Sequence, residues 1–334
     1  MKKTTTFVLT GITLSALVVG LLSTTHAGAI TTTTAAISSG QALEIGPPVI
    51  NLSADPGTTV KTTISLRDIS PTSLLVNGQI NDFVASGEDG TPKIILDPSV
   101  VSAYSFKSWV SPLAALTLKP KEIKNLTVTI NVPKTASPGG YFGVIRFTGT
   151  PPDLNGTGVS LAASLGSLIL LTVNGQAKEN LSLIDFSASH NSKTGTLFET
   201  APVDFAVRLK NSGNLQEEPA GLVTVKDMFG NVVATLGVNQ PVRDILPDSI
   251  RKFGTSLDSS NIGNKILFGL YHADLTLTYG ASKQTVTSSI TFWVIPYTLI
   301  AIIIGALIVA FFVLRTLIRR YNKYILAQAK KNNK

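Results

Sequence analysis

The chain is 334 residues long, with 28 Lys and Arg against 20 Asp and Glu, a formal charge of +8, and no cysteine. Without cysteine there are no disulfides and no thiolate zinc site, so any exported domain must hold by core packing alone. The positive charge does not mark a nucleic-acid binder: every acidic residue lies between Glu44 and Asp274, while nine basic ones sit in the first three and last twenty residues, which leaves the long middle nearly neutral.

Met1-Lys2-Lys3 precedes an apolar run from Phe7 to Leu22 and the small residues Ala27-Gly28-Ala29. A basic start, a short apolar core and a small-x-small site predict an export signal over 1–29. Cleavage is expected after Ala29, with Ala27 as the rival. An uncleaved anchor is disfavoured, because Thr10, Gly11, Thr13 and Ser15 interrupt a run that is short for a span. Residues 30–41, rich in Thr, Ala and Ser, read as a flexible linker.

From Ala42 the chain changes to short β-branched runs punctuated by Gly, Pro, Asn and Asp. Val60–Leu66 and Leu126–Val132 alternate apolar with polar residues, the period of a strand with one buried face. Asp55-Pro56-Gly57 predicts a turn, and Gly87-Glu88-Asp89-Gly90 a hairpin tip or loop. The prolines at 133 and 138 interrupt pairing before a strand at Tyr141–Phe147. Thr150–Gly158 reads as a loop and Leu168–Val173 as a closing strand, completing a first β-sandwich over 42–175. Tyr104, Trp109, Tyr141 and Phe142 in this stretch are a candidate ligand or partner surface, since aromatic rings stack well and bury much area, but filling the first core is the favoured reading.

A second sandwich is expected over 176–291. Its strands are Val203–Lys210, Gly221–Lys226, Val232–Leu236, Leu267–Tyr279 and Gln284–Phe292, with turns at Asn211–Asn214 and Asp227–Asn231. Many short strands with frequent turns, and no amphipathic helix before the last forty residues, make the fold class all-β.

The final apolar stretch follows directly. No charged residue occurs from Gln284 to Leu314, and the densest part, Phe292–Leu314, predicts a transmembrane helix over 292–314. At about 1.5 Å per residue it crosses a hydrocarbon core of about 30 Å with some tilt. Trp293, Pro296 and Tyr297 mark an interfacial end, and the basic tail over 315–334 (Arg315, Arg319, Arg320 and Lys323 first) marks the cytoplasmic side. The expected topology is a single pass in the cell membrane, with the long N-terminal part outside. Ala301-x-x-x-Gly305 and Ala306-x-x-x-Ala310 would let two such helices approach, a weak basis for a homodimer.

The turn residues carry a resemblance. Asn211-x-Gly213-Asn214, Pro219-x-Gly221, Asp227-x-x-Gly230, Leu246-Pro247 and Tyr279-Gly280 resemble the immunoglobulin-like repeats of bacterial surface proteins, as do Lys119-Pro120 and the string from Ile130 to Gly139. The order of parts (signal, two sandwiches, span, basic tail) is similar to that of the WxL-interacting proteins of Gram-positive surfaces. That resemblance implies two tandem immunoglobulin-like domains, the first binding peptidoglycan and the second contacting a host or partner protein.

No catalytic constellation emerges. His190 lies in a polar turn-like stretch and His272 in a strand, without metal-ligand spacing. Ser249-x-x-Lys252 and Lys193-Thr194-Gly195 echo penicillin-binding enzymes, but in reversed order and without Ser-Asp-Asn. Glu88-Asp89 and Glu217-Glu218 read as solvated turns. The acceptor-like triplets at Asn51, Asn125, Asn155 and Asn180 are as frequent as chance allows in a chain rich in Ser and Thr. The sequence therefore points to a membrane-anchored surface binding or scaffold protein that is not an enzyme and needs no cofactor or nucleic acid. Its expected partners are the membrane and either peptidoglycan or another surface protein. A passive spacer is the alternative, and a surface hydrolase is disfavoured.

Overall fold

A computed structural model describes residues 43–150, 164–263 and 265–332. The expected export signal and linker, and the loop after Thr150, lie outside the described residues.

In chain order the first part supplies β1 (Leu43–Gly46), β2 (Val49–Ala54), β3 (Thr59–Asp68), β4 (Leu74–Asn81), β5 (Phe83–Ser86), β6 (Thr91–Ile94), β7 (Leu116–Leu118), β8 (Ile123–Asn131), β9 (Gly139–Thr150) and β10 (Ser164–Val173). A three-stranded sheet, β1–β3–β8, faces a five-stranded one, β2–β10–β9–β4–β7. Alternation decides which side chains go inside. On β3, Ile64 and Leu66 turn inward while Lys61 and Arg67 face water, and on β8 Val128 and Ile130 do the same. These residues pack with Phe147, Ile169 and Leu171 from the facing sheet, and with Phe106 from the segment between β6 and β7, into one core. Each such side chain, fully buried, stabilises the fold by about 1.5–3 kcal/mol.

Strand β9 departs from one-sided burial. Ile145 and Phe147 point into the core, and Phe142 and Val144 on the opposite face are also buried, in a second cluster with Phe83 and Leu170. The β5–β6 hairpin brings Phe83 over this outer face. Gly143 lets the buried Phe106 lie against the strand, since a Cβ there would come within 2.8 Å of its ring.

The second part holds β11 (Leu181–His190), β12 (Lys193–Thr194), β13 (Leu197–Phe198), β14 (Val203–Asn211), β15 (Ala220–Asp227), β16 (Val232–Val238), β17 (Ile250–Leu257), the short α1 (Ser259–Ile262), β18 (Gly269–Tyr279), β19 (Gln284–Val294) and α2 (Tyr297–Asn332). Here β12–β11–β14–β17 faces β13–β19–β18–β15–β16. The core between them is centred on Phe292, whose ring centroid lies 5.6 Å from those of Phe205 and Tyr271 and 6.0 Å from that of Phe198.

The last strand corrects the expected span. Phe292 and Val294 are fully buried on β19, paired with Tyr271 and Gly269 of β18. The helix begins at Tyr297, not at Phe292, because the inward positions 290, 292 and 294 continue the two-residue period of a strand. From Tyr297 to Leu326 the chain forms a helix long and apolar enough to cross a membrane, with its side chains exposed.

Candidate functional site at the joint between the two cores

The two cores meet through a strap built from the β5–β6 hairpin and the segment after it. Buried Asp82 anchors the strap's base: its carbonyl accepts from the Ile95 amide at 2.8 Å, and its carboxylate accepts from the Ser105 hydroxyl at 2.6 Å and the Ser102 amide at 3.1 Å. The tip, Gly87–Gly90, is the hairpin turn expected from its residues. Its acidic pair is not simply solvated. Glu88 takes two hydrogen bonds from the Arg208 guanidinium on β14, one of 2.9 Å from Nε. That contact holds the Glu88 carboxyl below its ordinary range. The Glu88 carbonyl accepts the Lys252 amide of β17 at 2.7 Å, and the Asp89 carbonyl accepts from Arg251 at 3.1 Å. Gly90 makes room for that guanidinium, since a Cβ at 90 would come within 2.3 Å of it.

Beside the strap, Leu246 from the second part joins Phe83, Phe142 and Leu170. The Tyr104 hydroxyl donates to Asp248 at 2.7 Å, and burial, with Asp248 next, pushes its pKa up to about 12. Two of the candidate aromatics thus serve the joint: Phe142 is 2% exposed and packs 5.9 Å from Tyr104. The other two, Trp109 and Tyr141, pack half-buried on the first core with centroids 4.5 Å apart and rings tilted by 49°, and the Tyr141 hydroxyl donates to the Ser137 carbonyl at 3.0 Å. The structure therefore brings the four together as two separate pairs, not as one face.

Elsewhere at the joint the turn residues hold the backbone in place. Buried Asn211 donates from Nδ2 to the carbonyls of Leu215 at 2.7 Å and Ile245 at 2.9 Å, and accepts the Gly213 amide at 2.8 Å. A Cβ on Gly213 would meet the Lys178 carbonyl at 2.2 Å, and one on Gly221 the Thr276 carbonyl at 2.0 Å. The Pro219 carbonyl accepts from Asn239 at 2.6 Å. Asp227 caps its own turn, accepting from the Phe229 and Asn231 amides, and Gly230 takes the positive φ of 84° that the turn requires. Asn214 bridges the two parts: its carbonyl accepts the Gly140 amide at 2.7 Å, and its side chain donates to the Pro138 carbonyl at 2.9 Å.

Next to these turns opens a cleft of about 440 Å³, lined by Thr172, Gln216, Glu217, Glu179 and the Tyr279–Ala281 turn. Glu217 overturns its expected solvation: it is 2% exposed, and its Oε1 has no hydrogen-bond partner among the described residues. Its backbone causes this, since its amide and carbonyl pair with Ile245 at 3.0 and 2.7 Å and draw the residue into the joint. Burial, then the nearby Glu179 charge, push its pKa up to about 7, while the Gly280 amide pulls it down. Glu179 is held in place by the Ala281 amide at 2.9 Å and the Ser282 hydroxyl at 3.3 Å. Gly280, at φ 70°, leaves space for it. Nothing in the local sequence distinguishes Glu217 from a solvated pair, because the walls around it come from distant segments.

Chemically, the cleft gathers three acidic side chains, Glu179, Glu217 and Glu218, against one basic one, Lys283, with unfilled hydrogen-bonding capacity at Glu217. It suits a cationic group. Among the described residues no cluster of three or more His, Cys, Asp and Glu is arranged to hold a metal ion. His190 Nδ1 lies 2.6 Å from the Pro202 carbonyl, and the Ser249 hydroxyl donates to the Leu246 carbonyl at 2.7 Å. Arg315, Arg319, Arg320 and Lys323 lie exposed along α2.

No family model matches the chain, and no curated protein matches it. Similar solved structures include the YadV chaperone, with 11% identity over 75% of this chain and 100% of that one, at a TM-score of 0.36. Others are the class 5 fimbriae chaperone CfaA (12% identity, 74% and 98% coverage, TM-score 0.37) and the Salmonella enterica SafA pilin in complex with the SafB chaperone (12%, 74% and 96%, 0.35). At such identities and TM-scores the likeness bears on neither ligand nor activity.

Proposed function

We propose that this chain is a non-enzymatic, membrane-anchored surface-binding protein whose joint cleft receives a cationic group of its partner. The two cores are read as tandem immunoglobulin-like domains, facing outward on a single span with the basic tail inside. The observation that carries the binding role is the unpartnered, buried carboxylate oxygen of Glu217 beside Glu179. A buried acceptor left unpaired costs about 1–3 kcal/mol, which an incoming ammonium or guanidinium would offset. A passive spacer has no use for such a group.

Primary amines occur on cell-wall peptides and on basic segments of surface proteins alike. The similarity in order of parts to the WxL-interacting proteins favours the wall as the first source to test. Full-length protein in lipid nanodiscs would be sedimented with protein-free wall sacculi, native or with their amines acetylated, and mixed separately with a lysine-rich peptide. Saturable pelleting with native sacculi, lost on acetylation and in Glu217→Gln, is the expected result. Binding of the peptide alone would shift the partner to a surface protein. Binding of neither would leave the spacer reading and contradict this one.

A further inference from the structure

The end of the second sandwich from which α2 departs carries exposed apolar residues on several converging segments. In the five-stranded sheet, β19 ends at Val294 opposite Gly269, where β18 begins, and β15 ends at Asp227 opposite Tyr271. The β15–β16 turn and the segment entering β18 therefore lie at the same end as the start of α2. Phe229 at the tip of that turn is 81% exposed, Ile266 72% and Phe268 62%, with Met228, Trp293 and Tyr297 also open to solvent.

Two further features distinguish this end from scattered surface apolar residues. The first is rigidity. Asp227 ties down the turn that presents Phe229, so its carboxylate is engaged with the Phe229 and Asn231 amides and not with a partner. The second is closeness to the helix. Only Ile295 and Pro296 separate β19 from α2, and that passage is pinned by the Trp293 and Ile295 amides donating to the Thr196 and Phe198 carbonyls at 2.7 and 2.8 Å. The Thr298 hydroxyl also donates to the Glu199 carboxylate. With so short and fixed a passage, these side chains sit at the level where the helix enters the bilayer. Aromatic residues favour that depth, because their rings tolerate an apolar body and a polar rim together.

We infer that this end of the second sandwich is a lipid-contacting surface, with Phe229, Phe268 and Ile266 seated in the interfacial layer around the base of α2. The inference rests on the membrane-anchored reading and adds to it that the ectodomain lies against the bilayer instead of standing off it. Exposed Lys265 beside Ile266 suits anionic headgroups at the same level.

The chain has no cysteine, so single-cysteine labelling is clean. Phe229→Cys, Phe268→Cys, Val309→Cys and Lys61→Cys would each be made in the full chain, labelled with an environment-sensitive fluorophore and placed in nanodiscs with a 3:1 mixture of zwitterionic and anionic lipid. Quenching by headgroup-level nitroxide lipid and by aqueous iodide would be compared. The expected result is lipid quenching at 229 and 268 at least about twofold above that at Lys61, with matching protection from iodide. Val309 should be quenched by nitroxide placed deep in the acyl chains. Quenching at Val309 with positions 229 and 268 as open to iodide as Lys61 would overturn the lipid-contacting surface alone. No lipid quenching at Val309 would overturn the anchor reading and the surface with it. Iodide protection at 229 that rises with protein concentration in detergent would assign the patch to a second copy, and overturn the inference as well.

Discussion

Glu88, at the tip of a hairpin over the first core, accepts two hydrogen bonds from Arg208 in the second core, 120 residues further along the chain. The same hairpin tip accepts the Lys252 amide. The strap therefore bridges the two cores with both a charged and a backbone link. Such a charged pair at a half-exposed site stabilises little by itself, but its geometry fixes where the hairpin lies.

Arg208→Ala should free the tip without unfolding either core. Hydrogen exchange at the Lys252 amide should become severalfold faster, while amides of β18 keep their protection. Unchanged exchange at Lys252 would show that the hairpin is held by Phe83 and Leu246 alone.

Phe292→Ala should behave as a core truncation and not as a change in a membrane span. Phe292 is fully buried against Phe205 and Tyr271, so a loss of about 3–5 kcal/mol in chemical denaturation is expected. Membrane association through α2 should persist. A negligible change in stability would return Phe292 to the span.

Asn211→Ala leaves the Leu215 and Ile245 carbonyls and the Gly213 amide without their partner. Denaturation should show a loss of roughly 2–4 kcal/mol, since buried groups left unpaired are costly. Asp227→Ala, whose turn is exposed, should cost far less in the same measurement.

Glu217 makes stability fall as pH rises. Folding raises its pKa from the ordinary 4.5 to about 7, so the native state holds the proton more tightly than the unfolded chain. The contribution of this group is complete below about 4.5 and is lost as pH climbs through about 7. Asp244, raised to about 6 by burial and by Glu218, acts in the same direction. Glu217→Gln should flatten this window and be more stable than the wild type at pH 8 by roughly 1–3 kcal/mol. Equal denaturation profiles from pH 5 to pH 8 would contradict the buried carboxyl.

Several strands were legible because they carry their own signal, while others, β11 and β17 among them, were not. Val60–Leu66, Leu126–Val132 and Val203–Lys210 alternate; the first and last lie within observed strands, and the second runs one residue past the end of β8. The same alternation runs through Ile290, Phe292 and Val294, but there it is submerged in a run of apolar residues that reads equally well as the start of a span. What a local pattern cannot show is a face made by distant segments. Phe142 is buried only because the hairpin and Leu246 cover it, and Glu217 only because Ile245 and the Tyr279–Ala281 turn meet over it. The motif at Asn211, Gly213 and Gly221 specified turn geometry and close backbone approach, which is fold chemistry. It gave no sign of the acidic cleft beside it.

The most direct test of the binding role is the affinity of the full chain, in nanodiscs, for a lysine-rich peptide at pH 6 and pH 8. A Glu217 carboxyl with a pKa of about 7 is mostly protonated at the lower pH and mostly charged at the higher. Binding of a cation should therefore tighten by up to about tenfold across that interval, and the gain should vanish in Glu217→Gln. Affinity that is the same at both pH values and in both proteins, or binding of neither this peptide nor native sacculi, would contradict the assignment of the joint cleft as the site of recognition.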